Sequence, residues 1–508
     1  MLLGEGDLKL FIEPGASPLL TTVSNFLTER NIKSYLVGGF VRDVLLGRDT
    51  ADIDIAVAAD AVEIASKIAN ALGGKFVLLD KANRVGRVVM VDKKAPPGGR
   101  WELDFSTFEG SIEQDLARRD FTIDAIAVDL EELTKDYAHA HLIDPFNGWT
   151  DLRHGVIRTV SETAFESDAA RLLRAVRLAA ELGFSLDSQT EALVRRNCYL
   201  IADVAGERLR EELLRLLAAP QTERFLPYLD DLGLITAIIP ELAQAKGVKQ
   251  PKEHFWDVFD HSIETVIAVD FLLHKGSWQY ADDEVLAIAP WSEALAQHFA
   301  REVSSGSTRR SLLKLAALLH DVAKPQTKAI EEDGRMHFLG HAKLGAAMAV
   351  DILERLRFSS KEAKLMEIMV RQHLRPGQMS QEGLPTRRAI YRYFRDTGEA
   401  GIDVLFLSLA DHLATRGPQL NLLGWQEHAQ MVEYVLAQRS EQEKVVTPPK
   451  LVDGHDLINI FSLSPGPKIG QLLEAVREAQ ASGEVATREE ALSYIRKRLY
   501  GIQANSKC

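Results

Sequence analysis

Between Tyr35 and Arg158, short apolar runs rich in Val, Ile and Phe alternate with turn residues and brief helical patterns. Tyr35–Val37, Asp52–Val57, Phe76–Leu79, Val85–Val91 and Trp101–Phe105 read as strands, since β-branched and aromatic residues cluster there between turn formers. After Ser161 the pattern changes. In ESDAARLLRAVRLAAEL, GERLREELLRLL, SLLKLAALLHDVAK and KLGAAMAVDILERL the apolar positions recur at helical spacing. The pattern predicts an α+β head, a mixed sheet with helices, followed by an all-α body. Residues before about 30 read as a leader and a helix, Ser304–Arg309 as a loop, and Gln438–Lys450 as a linker ending in Pro448–Pro449. The expected divisions are 30–158 (head), 159–245 (helical neck), 250–435 (second helical domain) and 445–508 (helical tail).

A chain of 508 residues suggests roughly three domains. Its 46% hydrophobic and 26% charged residues exclude a disordered chain. The net charge of −13 argues against indiscriminate nucleic-acid binding, which draws on lysine and arginine. Local basic groups exist at Arg195–Arg196, at Arg208, Arg210 and Arg215, and at Arg496–Arg498. Two distant cysteines, Cys198 and Cys508, make no disulfide framework. The acidic N-terminus is unlike a secretory signal, and no uncharged apolar run reaches membrane-spanning length. A cytoplasmic location is expected.

The sharpest chemistry lies in Y-L-V-G-G-F-V-R-D-V-L-L-G followed by D-I-D-I-A-V. Gly38 and Gly39 join a strand to a helix, where bare backbone and exposed amides suit a triphosphate. Arg42 adds a positive charge in the first turn. Asp52 and Asp54, two apart on a strand, leave the same face. Paired carboxylates of this kind suit Mg²⁺ and in-line phosphoryl transfer. The order G-G-x-x-R-D then D-x-D resembles the class II tRNA nucleotidyltransferase and bacterial poly(A) polymerase superfamily, whose head is polymerase-β-like. L-A-R-R-D-F-T-I-D-A-I-A (116–127) is similar to that family's second motif, which implies that Arg119 and Asp120 shape the nucleotide site. The family usually has Asn where Asp124 stands. D-P-F-N-G-W-T-D-L (144–152) resembles the hinge that ends the head, and Asp104 reads as a plain strand residue ahead of a third metal carboxylate.

S-D-A-A-R-L-L-R-A-V-R (167–177) resembles the family's base-selecting motif. Asp168, Arg171 and Arg174 fall on one ridge of a predicted helix, with Arg177 turned about half a turn from Asp168. Cytosine and adenine both offer an amino donor beside a ring-nitrogen acceptor. A carboxylate accepts from the first and a guanidinium donates to the second, while uracil and guanine present the reverse. One Asp–Arg pair thus selects C and A.

Beyond residue 250, His254, Asp257, His261, His320–Asp321, His341, His373 and Asp411 suit a divalent site (Mn²⁺, Ni²⁺ or Mg²⁺) between helices. A-L-L-H-D-V-A-K resembles the core of HD phosphohydrolases. The resemblance implies His261, His320, Asp321 and Asp411 as ligands, with His341 and His373 for a second metal, and an activity on phosphate or 2′,3′-cyclic phosphate ends of RNA. The whole implies an enzyme that adds C and/or A from CTP and ATP to the 3′ end of tRNA or other RNA. The alternatives are an A-adding-only enzyme, a poly(A) polymerase, and a phosphohydrolase with a nucleotide-sensing head. The 75–100 region, with its K-K-A-P-P-G-G-R loop, bears on the first choice, and oligomeric state is not legible.

Overall fold

Alternating burial along Asp52–Val57 explains the central strand of the head. Ile53 and Ile55 are fully buried, so Asp52 and Asp54 face the other way. The computed structural model describes residues 12, 15–81, 83–92, 99–135, 141–219, 221–379, 383–443 and 450–500. The N-terminal leader, most of the Pro-Gly loop at 93–98, the Pro448–Pro449 pair and Cys508 lie outside the described residues.

Helix α1 (Ala16–Thr28) precedes strand β1 (Ser34–Val37), helix α2 (Gly38–Leu45), strand β2 (Asp52–Val57) and helix α3 (Ala61–Leu72). Strands β3 (Lys75–Asp80), β4 (Val85–Val91), β5 (Arg100–Thr107), β6 (Ala127–Asp129) and β7 (Leu142–Ile143) complete a seven-stranded sheet of order β3-β4-β5-β2-β1-β6-β7. All neighbours run antiparallel except β2 and β5, whose parallel register sets Asp52 beside Glu102 and Asp54 beside Asp104. Leu20, Val23, Ile53, Ile55, Ile64, Ile68, Leu103 and Phe105 bury one face of this sheet under α1 and α3. The opposite face carries the acidic residues.

The chain divides into two compact units, residues 1–204 with 232–237, and 205–231 with 238–508. The first holds the sheet and the neck helix Arg171–Leu182. That helix begins three residues later than the spacing predicts. Asp168 is extended (φ −156°, ψ 101°) and its carboxylate accepts the amide of Ala170 at 3.2 Å, so it precedes the helix rather than riding on it.

In the second unit, helices Val258–Leu272, Arg309–Leu319, Ser360–Gln372 and Gly401–Arg416 pack on one another, and His341–Arg355 packs on Ser360–Gln372. Asp257 caps the first of these, accepting the amides of Asp260 and Gly247 at 2.8 and 2.6 Å, a structural role. Ser304–Arg309 is no plain loop. Glu302–Ser304 and Ser307–Thr308 pair as a hairpin, and Thr308 caps the helix that starts at Arg309. The expected linker at 438 is also shorter, because the helix Leu422–Glu443 runs into it. Residues 451–500 carry a core of their own, with Leu457, Leu472, Val476 and Ile495. No helix among the described residues is long and apolar enough to cross a membrane.

Candidate active site and metal centre

Strand β1 turns into α2 at Gly38, whose φ of +69° favours glycine. A side chain there would also lie 2.7 Å from Arg119 Nη1 and 3.2 Å from Asp54 Oδ2. The turn therefore places bare backbone directly against Asp54 and Arg119. The Phe40 amide donates to Asp54 Oδ2 at 3.4 Å. Burial, with repulsion from Asp104 and Asp124 offset in part by Arg119 and that amide, pushes the Asp54 carboxyl up to about 6. Asp52, on the same face one pleat away, is exposed. The two present hard oxygen donors on one face of the strand, a set that fits Mg²⁺.

Asp104 is differently placed. Arg87, across from it on β4, grips both carboxylate oxygens at 2.7 Å and also pairs with Glu102. Its acceptors are engaged, as a plain strand residue's would be.

Arg42 is 8% exposed. Nη1 donates to Asp124 at 2.7 Å, and Nε and Nη2 donate to Asp43 at 3.0 and 3.1 Å. Burial opposes its charge, yet Asp124 and Asp43 hold the guanidinium above its ordinary range. Arg119 donates to Asp115 at 3.3 Å and to the Asp124 carbonyl at 3.4 Å. Burial would raise Asp120, but Arg174 and Arg171 hold it below the usual carboxylate range, with Arg174 Nε at 2.6 Å. Thus the neck helix is tied to the head's second motif through Arg174. Arg171 lies 3.9 Å from Asp168 and donates to the Arg118 carbonyl at 2.9 Å. Arg177 is 1% exposed and pairs with Glu181, so among the neck arginines it is turned inward. The hinge motif is a staple: Asp144 accepts the amides of Gly148 and Trp149, and Asp151 accepts Thr122 Oγ1 at 2.7 Å.

The second constellation lies wholly within the helical unit. His261, His320, Asp321, His341 and His373 are all buried. His320, His341 and His373 each direct Nδ1 at the carbonyl three residues earlier, at 2.7–2.8 Å. That orients the three rings so that each Nε2 points inward. The Nε2 atoms of His261 and His320 lie 3.2 Å apart, those of His341 and His373 3.3 Å apart. Asp321 stands between the pairs. Oδ2 is 3.2 Å from His320 and 3.6 Å from His261, while Oδ1 is 3.3 Å from His341 and 3.8 Å from His373. Asp411 approaches His261 at 3.1 Å. Lys324 Nζ reaches Asp321 Oδ2 at 2.6 Å, while Oδ1 of the buried carboxylate faces the His341 and His373 pair. The donor set therefore fits two divalent ions sharing Asp321. Burial, reinforced by His320, holds His373 down at about 4, so it stays a neutral ligand. His254 packs edge-on against His261, with ring centres 5.5 Å apart.

Comparison with known proteins then decides the family. The model described as the Poly A polymerase head domain matches residues 34–158. That for a probable RNA and SrmB-binding site of polymerase A matches 183–246, that for the HD domain 285–416, and that for a putative tRNA nucleotidyltransferase domain 2 418–495. The A-adding tRNA nucleotidyltransferase of Deinococcus radiodurans is 34% identical over 91% of this chain and 94% of its own. The chain belongs to the tRNA nucleotidyltransferase family. The CC-adding tRNA nucleotidyltransferase of Thermus thermophilus is also 34% identical, over 91% of this chain and 93% of its own. A solved CCA-adding enzyme with ATP shares the fold, with a TM-score of 0.62, 22% identity, and coverage of 98% of this chain and 96% of that one.

Within this tRNA nucleotidyltransferase, many of the residues singled out in sequence gather in two places. Gly38, Gly39, Arg42, Asp54, Arg119, Asp120 and Arg174 form one connected network with Asp124, which the sequence reading treated only as a departure. The HD-domain match begins at 285, yet the fold brings His261 from an earlier helix into the same cluster. Sequence reasoning missed Arg87, whose only signal was a lone arginine in an apolar strand.

Proposed function

We propose that this enzyme adds C, A or both to the 3′ end of tRNA without a nucleic-acid template, drawing on CTP and ATP. The observation that carries the reading is the close approach of bare backbone at Gly38 to Asp54 and Arg119 on the acidic face of the sheet. Asp52 and Asp54 hold Mg²⁺, which when bound supplies charge neutralisation and an acidified 3′-hydroxyl. Gly38 and Gly39 leave room for the triphosphate, and Arg42 and Arg119 offset its charge. Asp168 and Arg171 read the base edge, the carboxylate accepting from the amino group and the guanidinium donating to the ring nitrogen. Asp120 and Arg174 keep the neck helix, with Arg177 packed behind it, in register with the head. The attacking hydroxyl and the leaving pyrophosphate are positioned rather than covalently held.

The histidine–aspartate cluster favours a second activity, hydrolysis of phosphate or cyclic phosphate at RNA ends. There His261, His320, Asp321 and Asp411 hold one divalent ion (Mn²⁺, Ni²⁺ or Mg²⁺), and His341, His373 and Asp321 a second. The working divisions are head 30–158, neck 159–245, HD domain 250–435 and an RNA-contacting tail 445–508, in a cytoplasmic protein. A gel extension assay tests the reading, with tRNAs ending before the first C, after the second C and after the final A, given CTP and ATP separately and together. Full CCA synthesis or extension by C or A alone sorts the three products. No extension of any substrate refutes the reading.

A further inference from the structure

Asp124 sits where a carboxylate is costly. It is 2% exposed, and its Oδ2 is buried with no hydrogen-bond donor. Oδ1 takes Nη1 of Arg42 at 2.7 Å, Oδ2 lies 3.8 Å from Nη2 of Arg174, and the carbonyl of the same residue accepts Arg119 at 3.4 Å. One residue thus touches an arginine from α2, one from the second motif and one from the neck helix. On Arg42 the remaining edge is held by Asp43, so all three guanidinium nitrogens already face a carboxylate. Phosphate oxygens arriving at Arg42 meet a cation whose charge is shared with two internal anions. Of these anions, Asp124 is the buried one.

We propose that Asp124 is a positioning residue that holds Arg42 in place before the nucleotide binds and competes with its phosphates afterwards, so that its negative charge sets nucleotide affinity. The inference rests on the reading that Arg42 holds the triphosphate. A neutral amide at this position keeps an oxygen acceptor for Arg42, removes the charge, and sets an NH₂ in place of the oxygen that faces Arg174. The competition therefore separates from any purely structural role.

The test is steady-state addition by the full-length enzyme, with a tRNA primer, comparing wild type, Asp124→Asn and Arg42→Ala while thermal melting is followed in parallel. Asp124→Asn is expected to lower the nucleotide KM roughly threefold to tenfold, the scale of one charge acting across a partly screened site. Its kcat is expected to stay within about twofold. Should the amide variant not fold, Asp124→Ser, smaller and also neutral, carries the same comparison. An unchanged or higher KM overturns the proposal, and a lower melting point with unchanged KM assigns Asp124 to structure alone. Arg42→Ala is expected to raise KM. If it does not, the triphosphate reading itself fails, an outcome distinct from failure of the competition.

Discussion

Asp54 gives a prediction whose size follows from its surroundings. Its carboxyl is pushed from 3.8 up to about 6, chiefly by burial. A carboxyl raised in the folded state binds its proton more tightly there than in the unfolded chain. Head stability therefore falls as pH rises from about 4 to 6, and the full penalty stands above that range. At about 1.4 kcal/mol per pH unit, the penalty at pH 7 is at most about 3 kcal/mol in metal-free enzyme. Asp54→Asn keeps an acceptor for the Phe40 amide but cannot ionise. It should stabilise the metal-free head at pH 7 by up to about 3 kcal/mol, with the gain vanishing near pH 4, while abolishing nucleotide addition. Amide exchange across β2 in the presence of a chelator reads the effect on the head alone. Added Mg²⁺ should slow exchange in wild type and leave the variant unmoved. The reasoning fails if the variant is no more stable at pH 7, or if its advantage is the same at both pH values.

Three further outcomes are expected. Metal analysis should find Asp321→Ala stripped of both HD-site ions, with His261→Ala and His341→Ala each losing one, while nucleotide addition continues. Lys314, buried with Asp270 at 2.7 Å, should on replacement by Met leave a stranded carboxylate and lower unfolding free energy by about 3–5 kcal/mol. The paired change with Asp270→Leu should recover most of that loss in a denaturant titration. Asp168→Ala should relax base choice, with UTP incorporation relative to CTP rising about tenfold or more in single-nucleotide extension, because the O4 acceptor of uracil no longer faces a carboxylate that can only accept.

Local periodicity made much of the site readable. The two-residue spacing of Asp52 and Asp54 already states that they share a face, and Gly38–Gly39 before a helical pattern states a close-approach turn. What depended on distant pairing was not readable. Arg87 reaches Asp104 only because β4 lies next to β5, and sheet order is not encoded in any one strand. The Asp120–Arg174 bond joins residues 54 positions apart in the sequence numbering. The spacing puts Asp168 on the helix because i, i+3 is the same whether or not the first turn has formed. Its own side chain, bonded to the Ala170 amide, holds it outside. The hairpin at 302–308 reads as a loop in sequence because its strands are only three and two residues long, too short for alternation to register.

The parallel pairing of β2 with β5 lays two acidic rungs across one face, and Arg87 covers the outer end of both. That arginine acts as a permanent counterion for β5. Without it, the four carboxylates would form a broad anionic strip on which a divalent ion could settle in several places. With it, the β5 carboxylates are neutralised from within, and on the proposed reading a divalent ion is left to the β2 side, beside the Gly38 turn. Arg87 bonds to Asp104 and Glu102 and its charge also reaches Asp52, so it works as electrostatic insulation along this edge of the acidic face. On the proposed reading, an enzyme that lost it would bind a divalent ion less selectively in space, and its errors would be errors of alignment rather than of affinity.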